Sequence, residues 1–185
     1  MPAHPVHVTL RAGAAIRCLR APRVYPLLRI GLGRASRERF RVLQFTVQDD
    51  HVHLIVEADD SAAFVRGLRG LTIRLAKAVN RALGRRGAVW ADRFHARALA
   101  TPRAVRHALV YVLMNWRKHR GADAAIDPCS SGAWFRGWRE PIDPVPERAP
   151  VVAARTWLAA IGWRRHGLIA LTERPRGAGS AQHYP

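Results

Sequence analysis

Acidic residues, lysine and cysteine are scarce in this chain of 185 residues. Only 13 aspartates and glutamates oppose 31 lysines and arginines, which gives a formal net charge of +18. Lysine occurs only at Lys77 and Lys118, so arginine carries nearly all of the positive charge. A basic excess of this size predicts a polyanionic partner, and nucleic acid is the leading candidate. Because the arginines are spread along the chain, a membrane surface is a less favoured partner.

Two further classes of protein are excluded by what is missing. Cys18 and Cys129 lie far apart and form no metal-ligand spacing, so we expect reduced thiols and no disulfide framework. No apolar run reaches the roughly 18 residues that span a membrane. The first residues contain no apolar segment of the signal-peptide kind. These features predict a cytoplasmic protein without a membrane partner.

The order of predicted elements is that of a mixed α+β domain. Alternating apolar residues predict strands over residues 5–11, 39–48, 51–58 and 88–99. Apolar spacings of three and four predict helices over residues 22–37, 61–84 and 102–120. Asp49 and Asp50 are assigned to a tight hairpin turn, with a metal role as the less favoured alternative. The pattern predicts a ferredoxin-like β-α-β-β-α-β core, with an antiparallel sheet, helices on one face of it, and one more helix after the core.

Beyond Gly121 the periodic pattern weakens. We therefore expect a core domain over residues 1–121. The composition of the sequence after it predicts an arm and proline-rich linker over 122–150. A short amphipathic helical segment capped by Gly167 is expected within 151–173, and a disordered tail over 174–185.

Two histidines stand one residue apart in the third predicted strand, within the sequence QDDHVHLIVEAD. Residues i and i+2 of a strand point to the same face, so His51 and His53 project together. Two imidazoles a few Å apart can hold a divalent metal. Half-buried structural histidines would produce the same dipeptide spacing. Glu57 is in phase with them, either supporting such a site or marking the end of the strand.

A tyrosine and an asparagine lie one turn apart in the last predicted helix, within the sequence YVLMN. Tyr111 and Asn115 occupy positions i and i+4, so a hydroxyl and a carboxamide project from one helix face. Taken alone, such a pair more often serves packing. Tyr25 precedes a proline in a weak helix and Tyr184 lies in the tail.

In combination, these two pairs resemble the motifs of HUH-type single-tyrosine transposases, most closely those of the REP-associated tyrosine transposases. The stretches HVTLR, QDDHVHLIVE and VWADRFHARAL resemble strands of the same family, so the resemblance covers about residues 5–120. It implies that His51 and His53 bind a metal, that Asn115 supplies a third ligand, and that Tyr111 is the nucleophile. The implied cofactor is Mg²⁺ or Mn²⁺.

The same resemblance implies cleavage and rejoining of single-stranded or hairpin DNA through a 5′-phosphotyrosine. Relatives commonly continue after the asparagine with Pro-Val-Arg, whereas this chain continues with Trp116 and Arg117. This departure leaves open which DNA sequence the protein prefers. The sequence also leaves open whether the protein is a monomer or a homodimer. The competing interpretation is a basic nucleic-acid-binding module on the same fold, without cleavage.

Basic side chains on three elements are candidate DNA contacts. They are Arg66, Arg69, Arg74 and Lys77 on the long helix, Arg93, His95 and Arg97 near the fourth strand, and Arg117 and Lys118 after the tyrosine. A solvated helix face explains the first group equally well. Trp116, Trp134 and Trp138 could stack on unpaired bases or fill the core. His7 on the first strand is interpreted as structural.

Overall fold

The elements of secondary structure follow the predicted order. The computed structural model describes residues 4–116 and 126–175. Its strands are β1 (Val6–Arg11), β2 (Phe40–Val47), β3 (His51–Ala58) and β4 (His95–Ala98). Its α-helices are α1 (Tyr25–Gly33), α2 (Ser61–Ala82), α3 (Pro102–Met114) and the short α4 (Trp157–Ala160). Two 3₁₀ helices cover Gly132–Trp134 and Gly162–His166.

The four strands form one antiparallel sheet in the order β2-β3-β1-β4. β3 therefore lies between β1 and β2, which is the split arrangement predicted from the sequence. The last strand is shorter than predicted. Trp90 makes only an isolated bridge to Ala12, and its indole nitrogen donates to the carbonyl oxygen of Thr72 on α2. Regular pairing of this segment with β1 begins only at His95.

The helices cover both faces of the sheet, so the prediction of helices on one face is wrong. α1 and α2 pack on the face that carries Val8 and Leu54. α3 packs on the opposite face, where Ile55 belongs to the same apolar cluster as Leu109. The reason is visible in β2 and β3, which are buried along nearly their whole length and therefore need cover on both faces.

The start of α3 is fixed by its cap. Thr101 adopts an extended conformation, and its hydroxyl accepts a hydrogen bond from the backbone N–H of Ala104 at 3.1 Å. Pro102 follows in the first turn, where its missing N–H has no cost. β4 ends three residues before this cap, so α3 follows the edge strand after a short connection.

Residues 126–175 are attached to the sheet through two buried carboxylates. Asp127 accepts a hydrogen bond from the hydroxyl of Thr46 on β2, at 3.1 Å, and two more from the guanidinium of Arg20 before α1, at 2.9 and 2.6 Å. Glu57 accepts hydrogen bonds from the backbone N–H groups of Arg155 and Thr156, at 2.8 and 3.0 Å, and from the Thr156 hydroxyl. Glu57 therefore anchors the later part of the chain. The division into domains stays a prediction. Among the helices within residues 4–116 and 126–175, none has the length and apolar character of a membrane span.

The anchoring carboxylate gives a testable stability effect. Glu57→Gln keeps the side-chain shape but replaces one acceptor oxygen with a donor that would face backbone N–H groups. We expect the free energy of unfolding to fall by about 2–3 kcal/mol, because buried backbone donors lose an acceptor and the buried guanidinium of Arg41 loses the charge it is paired with. Urea unfolding measures the change. Glu38→Gln, at an exposed position, is the control and should shift stability by less than about 0.5 kcal/mol. Equal effects of the two substitutions would contradict the anchoring role.

Candidate active site

Strand register places a set of polar side chains on the face of the sheet that α3 covers. Thr9 of β1 lies opposite His53 of β3 on one side and opposite His95 of β4 on the other. His7 lies opposite Arg97. Directly opposite residues point to the same face, so these side chains share one surface.

Three histidines and one tyrosine pack together on this surface. The ring centroids of His51 and His53 are 4.5 Å apart, and the Tyr111 ring lies 5.0 Å from that of His53. The His7 ring lies 5.2 Å from His53 and 5.6 Å from Tyr111. The fold thus brings together both members of the histidine pair and the tyrosine of α3, although 58 residues separate His53 from Tyr111 in sequence.

Each histidine of the pair has one ring nitrogen held by a neighbour. Nδ1 of His53 is 3.0 Å from the Thr9 hydroxyl, and Nδ1 of His51 is 2.6 Å from a carboxylate oxygen of Asp50. Nε2 of His53 is buried and has no hydrogen-bond partner in the described part of the chain. Nε2 of His7, beside it, is likewise buried without a partner in this part of the chain, so two ring nitrogens next to Tyr111 are free to bind another group. Histidine ligands of metals are commonly oriented in this way through their other nitrogen.

Burial sets the protonation of the ring groups. Burial, together with the nearby His51 and His7, lowers the pKa of His53 to about 2. Burial and the positive charge of Arg97 lower the pKa of His7 to about 4. Both imidazoles are therefore neutral at neutral pH, which is the form that binds a metal. Burial raises the pKa of Tyr111, so its hydroxyl stays protonated in the free protein.

A cleft of about 650 Å³ opens beside Tyr111. His7, Thr9, His53 and Arg97 line its sheet side, and residues 173–175 line another part. Arg106 of α3 also lines the cleft, but both its terminal nitrogens bond to Glu173, at 2.6 and 2.9 Å. Arg97 makes no ion pair within the ranges 4–116 and 126–175. The cleft therefore presents two guanidiniums, those of Arg97 and Arg174, that no carboxylate of the described residues neutralises.

Asn115 occupies the C-cap of α3, one turn beyond Tyr111, and only 2% of its surface is exposed. In the described residues, no group of three or more histidine, cysteine, aspartate or glutamate side chains is arranged to hold a metal ion. The carboxamide of Asn115 is thus buried at the end of the helix that carries Tyr111.

The predicted DNA contacts are divided by the sheet. Arg66, Arg69, Arg74 and Lys77 lie on α2, on the opposite side of the sheet from Tyr111. His95 and Arg97 lie on β4 and share the face of the histidine pair, while Arg93 is exposed just before that strand. Arg117 and Lys118 lie outside the described residues. Trp116 and Trp138 are buried, and Trp134 is half-buried.

Sequence reasoning misses one neighbour of the site and ranks another too low. His7, interpreted from the sequence as structural, has a ring that contacts both His53 and Tyr111. Its alternation with Thr9, two polar positions on an otherwise apolar strand, is the available signal. For Asp50 the sequence favours the turn over a role beside a metal, and in the structure its carboxylate holds a ring nitrogen of His51. The signal for Asp50 is only its position next to the histidine.

Comparison with known proteins identifies related sequences and folds. The family profile described as "Transposase IS200 like" matches residues 6–112, which is more than half of the chain. Among solved structures, a REP-associated tyrosine transposase bound to a REP hairpin is similar, with a TM-score of 0.59 and 19% sequence identity. That match covers 84% of this chain and 95% of the other. At this identity the likeness shows the fold alone. No curated protein matches the chain.

The buried neutral state of His53 predicts a pH-dependent stability in metal-free protein. Its pKa is about 2 in the folded chain against 6.5 ordinarily, so below about pH 6.5 the unfolded chain binds a proton that the folded chain does not. The contribution of His53 is full above pH 6.5 and falls as the pH drops. We expect about 2 kcal/mol less stability at pH 5 than at pH 7 from this group, measured by urea unfolding in EDTA. In His53→Asn this part of the loss should vanish, and an unchanged pH dependence would contradict a neutral buried His53.

Proposed function

The chain belongs to the IS200-like transposase family, and on that premise we propose that it cuts and rejoins single-stranded or hairpin DNA through Tyr111, with a divalent metal. The observation that supports this most is the packing of Tyr111 against a strand histidine pair on the wall of a cleft. A tyrosine that only packs in the core does not require an imidazole with an unpartnered nitrogen as its neighbour. Tyr111 has such a neighbour, because Nε2 of His53 is buried without a hydrogen-bond partner in the described residues.

The residues present fit a divalent metal. We propose that His51 and His53 hold Mg²⁺ or Mn²⁺ together with Asn115, and that Thr9 and Asp50 orient the two imidazoles. When bound, the ion would draw charge from a non-bridging phosphate oxygen and so favour attack by an oxygen nucleophile. Imidazole ligands favour Mn²⁺ over Mg²⁺ in affinity.

Tyr111 is the proposed nucleophile. Its hydroxyl oxygen would form a bond to phosphorus while the bond from phosphorus to the 3′ oxygen breaks. The phenolic proton leaves and the departing 3′ oxygen gains a proton, so the products are a 5′-phosphotyrosine and a free 3′-hydroxyl. Because the phosphotyrosine is itself a phosphodiester, a second 3′-hydroxyl can reverse the step and join new ends without ATP.

The charge beside the cleft suits a DNA backbone. Arg97 is not neutralised by any described carboxylate, and His95 shares its strand, so we propose these two as the contacts nearest to the reacting phosphate. The α2 group (Arg66, Arg69, Arg74 and Lys77) lies beyond the sheet and could contact only a more distant part of the DNA. The similar solved structure is bound to a REP hairpin, which supports hairpin DNA as the substrate here.

A non-catalytic DNA-binding module remains the second candidate, because the net charge of +18 serves either function. The two differ in one product. An enzyme of the proposed kind becomes covalently linked to DNA, whereas a binding module does not. Tight binding and its salt dependence are common to both and do not separate them.

Covalent trapping tests the proposed nucleophile. We expect an SDS-resistant protein–DNA band when the protein is incubated with labelled hairpin DNA and Mn²⁺ or Mg²⁺. Tyr111→Phe should abolish the band, because the attacking oxygen is gone, and His53→Ala should reduce it at least about a hundredfold. Tyr25→Phe is the matched control, since Tyr25 lies on α1 beyond the sheet, and it should leave the band intact.

A band that survives Tyr111→Phe would show that another residue is the nucleophile. If the wild-type protein binds hairpins tightly but gives no band with any metal or hairpin, the binding module is favoured instead.

The hydrogen bond between Thr9 and His53 gives a second test of the metal. Thr9→Val keeps the side-chain shape but removes this hydrogen bond. We expect the metal concentration for half-maximal band formation to rise about 10- to 100-fold, with the plateau largely retained, because the ligand loses its orienting partner. Thr72→Val on α2 is the control and should not change the titration. A lower plateau with an unchanged midpoint would argue that Thr9 acts on the fold and not on the metal.

A further inference from the structure

We propose that an exposed tryptophan–arginine surface beside α3 binds unpaired bases of the DNA strand that enters or leaves the cleft. This surface, here called the Trp157 surface, consists of Trp157, Ile161, Arg164, Arg165 and His166. The inference rests on the proposed function for the identity of the nucleic acid, but it assigns a second contact that is separate from the reacting groups.

Exposure distinguishes Trp157 from other tryptophans of the chain. Its side chain is 47% exposed, whereas Trp163 is 2% and Trp138 is 7% exposed. Ile161, on the next turn, is 60% exposed. Exposed aromatic and aliphatic groups on so basic a chain form a small apolar area within a charged surface. Such an arrangement suits a ligand with flat apolar faces and negative charge.

The tryptophan ring is held in a fixed position. The guanidinium of Arg165 lies 4.7 Å from the ring centroid of Trp157, within the range of a cation–π contact. The ring also lies so close to Gly162 that an added Cβ there would be 2.6–3.0 Å from three ring carbons. The free surface of the ring and the guanidinium that lies over it both offer flat groups on which a base can stack with little loss of conformational entropy.

The positive charge of this surface is not neutralised. No aspartate or glutamate occurs between Arg148 and Thr172, and Arg165 takes part in no ion pair within the described residues. Another tryptophan–arginine contact in the chain shows the contrast. Arg29 lies over Trp134, but it is paired with Glu147 at 2.6 Å. The charge on the Trp157 surface therefore remains available for phosphate.

The position of the surface connects it to the cleft. The 3₁₀ helix Gly162–His166 packs against α3. Arg106, which lines the cleft, donates from Nε to the carbonyl oxygen of Gly167 at 3.0 Å and from Nη2 to that of Leu168 at 3.1 Å. A strand that leaves the cleft past Arg106 therefore reaches the end of this 3₁₀ helix. On this path, unpaired nucleotides beside the scissile phosphate would meet the surface at its His166 end.

Binding of unstructured single-stranded DNA tests the proposal directly. Fluorescence anisotropy with a labelled mixed-sequence oligonucleotide would be measured for the wild-type protein, Trp157→Ala and Trp157→Leu. We expect both variants to bind about tenfold more weakly, with an unchanged dependence on salt, because a stacked base is lost while no phosphate contact is removed. On an oligonucleotide of abasic sites the wild-type protein and the variants should bind equally.

The contribution of Arg165 is tested by comparison with Arg29, whose charge is neutralised by Glu147. Arg165→Ala should weaken binding and lower the slope of log K against log salt by about 0.7, the value for one phosphate of a single strand. Arg29→Ala, the matched control, should change neither. Thermal unfolding of each variant verifies that the fold is kept; Trp157→Leu covers the case in which Trp157→Ala does not fold.

Several outcomes would overturn the proposal. Absence of single-strand binding by the wild-type protein would do so, as would wild-type affinity in both Trp157 variants or an equal loss on abasic DNA. Failure of the proposed function is seen separately, since Tyr111→Phe removes the covalent product without touching this surface. Binding that depends on Trp157 in a protein that forms no covalent product would retain the surface and reject the chemistry.

Discussion

The register between β1 and β3 is the constraint on which the site depends. Side chains alternate across a strand, so a slip of one residue would turn His51 and His53 toward α1 and α2. The observed register instead sets Thr9 opposite His53, where its hydroxyl can hold the imidazole, and directs both histidines to the face under α3. The apolar residues between the histidines and after them fix this choice, because Val52 and Leu54 fill the core on the other face.

The scarcity of acidic side chains has a structural counterpart. Several of the few carboxylates are committed to internal contacts, as in Asp127 with Arg20, Glu57 with the backbone at Thr156, and Glu173 with Arg106. Each of these connects parts of the chain that are far apart in sequence. The net charge of +18 makes the field around the molecule strongly positive, and such a field directs polyanions toward it.

Local periodicity predicted much of this structure, and long-range contacts account for what it missed. The period of two revealed the shared face of the histidine pair, and the first-turn Pro102 together with apolar spacing revealed α3. Periodicity cannot say which face of the sheet a helix covers, since that depends on whether the strands are apolar on both sides. Nor could it place the His7 ring against Tyr111, because their contact combines strand register with the direction of a helix 104 residues later.

The anchoring of residues 155 and 156 by Glu57 also implies an order in which parts of the structure form during synthesis. Glu57 is synthesised almost a hundred residues before Thr156. Its carboxylate therefore has no backbone donors from residues 155 and 156 during the time in which the strands around it can already pair. A nascent chain that ends between Tyr111 and Arg155 has the histidines and the tyrosine of the site, but it lacks α4 and the 3₁₀ helix Gly162–His166, which pack on α3. The site is therefore completed late in synthesis, and a chain broken off before Arg155 would expose apolar surface and be a substrate for chaperones and proteases.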